Sequence, residues 1–160
     1  MADAEDWNRH ICHRDEIVLQ QWQAWVPRWQ AHIERIATHL GVSISYDVIA
    51  ARNAYAFPVS KRIEISPITS PETYAAALHE EGHCTKPCQS SHRRVQIDTF
   101  KSCCIRCELE ALQWARARAI EWSREMQAEL ARCIETYRQH ATAVEDDEVR
   151  QLQLFNVNER

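Results

Sequence analysis

The sequence predicts a helix-rich α+β fold, with a small antiparallel sheet and long helices toward the C-terminus. Three observations carry this. Glycine is nearly absent, with only Gly41 and Gly82, and a β-rich chain needs more turn glycines than that. Apolar residues recur at helical spacing over long stretches of the chain. Strict alternation of apolar and polar residues is confined to two short segments. At 160 residues the chain is expected to form one domain around one core, with residues 1–14 and an acidic tail at 144–160 as peripheral segments.

From Asp15 to Leu40 the residues Trp22, Trp25, Val26, Trp29, Ile33, Ile36 and Leu40 define an amphipathic helix whose tryptophan stripe faces a core. Pro27 predicts a kink or two abutting helices, and Gly41 stands where a helix stops. Val42, Ile44, Tyr46 and Val48 form one alternating strand pattern, and Arg62-Ile63-Glu64-Ile65-Ser66 a second. Residues 50–59 between them are expected to be irregular, with Pro58 at a turn or a sheet edge. Ser70-Pro71-Glu72 is a strong helix start: a serine N-cap, proline at the first helical position and an acidic first turn. This helix runs through Leu78 and ends before Pro87, and residues 85–98 read as a loop. A helical region from Thr99 to Ala143 is expected to contain more than one helix. Glu145-Asp146-Asp147-Glu148 reads as a solvated acidic stretch.

A net charge of −4 argues against a nucleic-acid binder, and the pair Arg93-Arg94 is too short to reverse that. The polar start Met1–Asp6 does not read as a signal peptide. No apolar run is long enough to span a membrane, so a cytoplasmic protein is expected. In a reducing compartment, seven cysteines point to free thiols or metal ligands rather than disulfides.

The chemistry concentrates in Leu78-His79-Glu80-Glu81-Gly82-His83. Two histidines four apart project from one helix face, so both imidazoles can reach one metal ion. Glu80 between them is set to take a proton from a metal-bound water. Catalytic zinc takes three protein ligands, and an acidic residue on a later helix, in Glu108-Leu109-Glu110-Ala111, is suited to be the third. Gly82 in a helix interior costs about 1 kcal/mol relative to alanine, which predicts a close neighbour at that point.

His79-Glu80-Glu81-Gly82-His83, followed by Glu108-x-Glu110-Ala111-x-x-Trp114-Ala115, resembles the gluzincin metallopeptidases, in particular the ImmA/IrrE-like branch and related phage or mobile-element peptidases. The likeness covers about residues 63–119. It implies a zincin-type active-site helix and one catalytic zinc held by His79, His83 and Glu110, with Glu108 as the second choice for the third ligand. It also implies Glu80 as general base and a protein or peptide as substrate; ImmA-like relatives cut a repressor. Three positions depart from the pattern: Glu81 replaces an apolar residue, Leu112 an asparagine, and Trp114 the aspartate that orients a zinc-bound histidine in thermolysin-type enzymes. Tyr137, His140 and Tyr55 are the candidates for an oxyanion donor. The rival expectation is a non-proteolytic zinc-binding regulator that holds a partner peptide in the same cleft.

Cys84-x-x-x-Cys88 follows the second histidine, and Cys103-Cys104-x-x-Cys107 precedes Glu108. Four of these thiolates (Cys84, Cys88, Cys107 and either Cys103 or Cys104) suit a second, structural zinc, with His92 as an alternative ligand. Cys12 and Cys133 read as small apolar residues. A cytidine-deaminase reading of His79-x-Glu81 and Pro87-Cys88 fails, because position 91 is serine where the motif needs a second cysteine.

Overall fold

The computed structural model describes residues 4–46, 54–86, 96–97, 100–101 and 105–140, with the backbone alone for 4–19, 96–97, 100–101, 105–106 and 136–140. It is helix-rich α+β. The order is α1 (Ala4–Leu40), β1 (Ser43–Tyr46), β2 (Tyr55–Phe57), β3 (Arg62–Ile65), α2 (Pro71–Thr85), β4 (Gln96–Ile97), β5 (Phe100–Lys101), α3 (Ile105–Arg118) and α4 (Arg124–His140).

α1 is one helix of 37 residues that runs through Pro27 rather than two abutting pieces. Proline removes a single ladder hydrogen bond, to the carbonyl of Gln23. The apolar face across it holds the helix in place: Trp29, Ile33 and Ala37 are buried at helical spacing. Trp29 stacks on Tyr74 of α2, with ring centroids 5.5 Å apart. Gly41 ends α1 at φ +66°. The Val42 N–H bonds the Ala37 carbonyl at 2.8 Å and the Gly41 N–H bonds that of Thr38 at 3.2 Å, which is the Schellman arrangement.

The main sheet has the order β1-β3-β2. It is mixed rather than antiparallel throughout, because β1 runs parallel to β3 while β2 runs antiparallel to it. The β2 strand falls in the stretch expected to be irregular. Lys61, at φ 51°, turns the chain back from β2 into β3, and its Nζ donates to the Cys84 carbonyl at 2.8 Å, capping the C-terminal end of α2. Ile63 and Ile65 of β3 are buried. Val48 lies outside the described residues, as do 87–95 and the acidic stretch 145–148. Gln96–Ile97 and Phe100–Lys101 pair as a short hairpin where a loop and a helix start were expected, and α3 begins only at Ile105.

α2 starts as its sequence dictates. Ser70 and Thr73 form a reciprocal capping box, with Pro71 opening the helix. The helix lies at the centre of the fold: Tyr74, Ala75, Ala77 and Leu78 are fully buried. A Cβ added at Gly82 would stand 2.9 Å from the Ala111 carbonyl oxygen and 3.0 Å from its Cα. The missing side chain therefore lets α3 approach α2 backbone to backbone. α4 completes the core with Met126, Leu130 and Ile134, and Ser123 caps its start by accepting from the Met126 N–H at 3.3 Å.

Candidate metal centre

The Gly82–Ala111 contact sets the register between α2 and α3. Along α3 the buried face runs Glu108, Ala111, Leu112, Ala115, a spacing that follows one side of a helix. Glu108 is one turn before Ala111 on that face, so it meets the two histidines that flank Gly82. His79 Nε2 lies 2.9 Å from Glu108 Oε2, His83 Nε2 lies 3.0 Å from Oε1, and the two Nε2 atoms are 3.0 Å apart. All three residues are buried, at 5 %, 9 % and 3 % exposure for His79, His83 and Glu108. Their ligand atoms lie within 4.8 Å of one another, the one such group of three or more among the described residues.

The acidic residue between the imidazoles is thus Glu108. Glu110, the first choice from sequence, is exposed. Two positions along a helix turn the side chain through about 200°, so both glutamates cannot face α2.

The three buried groups stabilise one another's charge. Burial opposes the Glu108 charge, but the imidazoles of His83 and His79 outweigh it and hold the carboxyl well below the usual carboxylate range. Burial alone would push His79 down, yet the Glu108 carboxylate and a hydrogen bond to the Cys133 thiol hold it well above its ordinary value. Ligand atoms about 2.1 Å from a tetrahedral zinc stand about 3.4 Å apart, a few tenths of an ångström wider than the 2.9–3.0 Å separations here. Two imidazole nitrogens and a carboxylate oxygen are a donor set suited to zinc. The residues fit a metal ion.

Glu80 is half-buried beside this group. Burial is the main influence on its carboxyl and raises it, while the histidines and the backbone N–H of Ala56, which donates to it, pull the other way. Ala56 is the middle residue of β2, so an edge of the sheet meets the motif. Tyr55 is exposed on the same strand. Tyr137 and His140 lie in the last turns of α4, where the backbone alone is described.

Cys84 is buried, and its thiol reaches the Arg62 carbonyl at 3.9 Å. Cys107 is half-buried at the start of α3. Cys88, Cys103, Cys104 and His92 lie outside the described residues, as does the side chain of Cys12. Cys133, read from sequence as a small apolar residue, is half-buried on α4 without a disulfide.

Comparison with protein-family models, with characterised proteins and with solved structures finds no match to this chain. Among the described residues, no helix is long and apolar enough to cross a membrane.

Proposed function

We propose that this protein is a zinc-dependent metallopeptidase of gluzincin type that hydrolyses a peptide bond in a protein substrate. The observation that carries the reading is the buried convergence of His79, His83 and Glu108, with the Glu80 carboxyl one residue along the same helix. His79, His83 and Glu108 would hold the ion. When bound, zinc supplies Lewis acidity toward a carbonyl and lowers the pKa of a coordinated water.

The chain's own groups do the rest. Glu80 accepts a proton and returns it to the leaving amine, and its burial-raised pKa brings it nearer the working pH, where a general base is most effective. β2 lies at the edge of the sheet order, and such an edge suits an extended peptide backbone. A cavity of about 590 Å³ opens beside the first turns of α2, large enough for several side chains. Its walls include Ser70, Thr73 and Ala76 at the N-terminal half of α2 and none of His79, Glu80, His83 or Glu108.

The test is digestion of an unfolded generic protein by zinc-loaded wild type and Glu80→Gln. Cleavage by wild type, lost in Glu80→Gln while its zinc content is unchanged, supports the reading. Equal cleavage by both proteins would sink the mechanism. Zinc-loaded wild type that cuts nothing would favour the non-proteolytic regulator.

A further inference from the structure

The cavity beside the start of α2 has a chemistry of its own. One wall is apolar, made by the Trp22 indole of α1, by Ala54, by the buried Ile65 of β3 and by Ala76 of α2. The other is charged and comes from two helices. α4 turns Met126, Leu130 and Ile134 into the core, and its neighbouring stripe of Glu125, Glu129 and Arg132 lies along the cavity, at the three- and four-residue spacing of one helix face. Glu72, in the first turn of α2, adds a third carboxylate.

The balance of these charges decides what can enter. Arg132 is committed to Glu129, its Nε and one terminal nitrogen donating to the two carboxylate oxygens at 3.1 and 2.5 Å, so that pair carries little net charge. Glu72 and Glu125 are paired with no cation among the described residues. A helix N-terminus ordinarily attracts an anion, but this one has little to offer. Pro71 has no N–H, the Ser70 N–H is taken by Thr73 Oγ1 at 3.0 Å and the Thr73 N–H by Ser70 Oγ at 3.4 Å, while Glu72 puts a negative charge in the same turn. The cavity therefore selects a cation with an apolar body.

A lysine or arginine side chain matches both walls. Its methylene stem can lie on the apolar side while the charged head reaches the carboxylates, and an indole face favours a cation further. One such side chain leaves most of a cavity of about 590 Å³ unfilled, so aliphatic neighbours on the same chain accompany it. We propose that this cavity is a docking site for a segment of another polypeptide that carries lysine or arginine beside aliphatic residues. None of His79, Glu80, His83 or Glu108 lines it, so the site is separate from the metal centre and stands whether or not the protein cuts peptides.

The experiment measures binding of a short fluorescent peptide of alternating leucine and lysine by anisotropy. Every protein is the full chain carrying Glu80→Gln, so that the probe stays uncut. Two partly exposed ion pairs contribute up to about fivefold each, so Glu72→Gln/Glu125→Gln should weaken binding by about 5- to 25-fold. Glu72→Asp/Glu125→Asp, which restores the charge, should recover most of it. Ala128→Phe, which fills the cavity from α4 without changing charge, should abolish binding. Glu34→Gln/Glu110→Gln, which removes the same charge from exposed positions outside the cavity, should bind like the parent. No binding by the parent would overturn the proposal, as would equal binding of a peptide with glutamate at every lysine. Parent-like binding in Ala128→Phe or in Glu72→Gln/Glu125→Gln would do the same. Displacement of the probe by an equal concentration of spermine would make this a site for small amines and overturn the polypeptide assignment.

Discussion

Glu81 is a buried carboxyl that the fold tolerates rather than uses, and its removal should make the protein more stable as pH rises. The residue is 0 % exposed, and neither carboxylate oxygen has a hydrogen-bond partner among the described residues. Desolvation pushes its pKa from 4.5 up to about 8. Between those values the folded state holds a proton that the unfolded chain has released, so stability falls as pH rises through this window. At the steepest part the loss approaches about 1.4 kcal/mol per pH unit. Glu81→Gln keeps the shape and abolishes the titration. The stability difference, Glu81→Gln minus wild type, should therefore grow by about 3 kcal/mol between pH 5 and pH 8, a large part of an ordinary domain's stability. Urea unfolding of both proteins at matched pH values, with chelator present, gives this difference directly, because histidine titrations are common to the two. A difference that stays constant with pH would refute the reasoning and mean that Glu81 keeps a compensating partner.

Gly82→Ala should separate α2 from α3. The new methyl meets the Ala111 backbone at 2.9 Å, an overpacking cost of about 1–3 kcal/mol against a helix-propensity gain of about 1 kcal/mol, so thermal unfolding should fall and zinc affinity with it. Tyr74→Phe should destabilise by about 1–3 kcal/mol, measured in denaturant, because the Tyr74 hydroxyl accepts from the Ile120 N–H at 3.1 Å and bonds His32 Nδ1 at 2.8 Å. Burial, then Arg35, lower the His32 pKa below 6.5. Its contribution is therefore present above pH 6.5 and lost as pH falls through the folded value, and His32→Gln should flatten the acid limb of the stability profile.

Much of this architecture is legible in the chain because its signals are local. The Ser70 cap, the Gly41 stop and the spacing of His79 and His83 depend only on near neighbours. Gly82 also announced a close approach, although its partner, Ala111, is 29 positions away by subtraction of residue numbers. The choice between Glu108 and Glu110 was harder, because it depends on which face of α3 meets α2. The apolar set Ala111, Leu112, Ala115 includes Glu108 and excludes Glu110, and that periodicity was the available clue. Strand direction was not readable: β1 and β3 alternate in the same way whether paired parallel or antiparallel.

On the proposed reading, His79, His83 and Glu108 together hold one zinc ion. The most direct measurement is zinc bound per chain in wild type, Glu108→Ala and Glu110→Ala, each dialysed against the same buffered zinc after a Cys84→Ser/Cys88→Ser change has removed the cysteine pair. One zinc in wild type, none in Glu108→Ala and one in Glu110→Ala is the predicted result. Full zinc in Glu108→Ala, or zinc lost only in Glu110→Ala, would contradict the account.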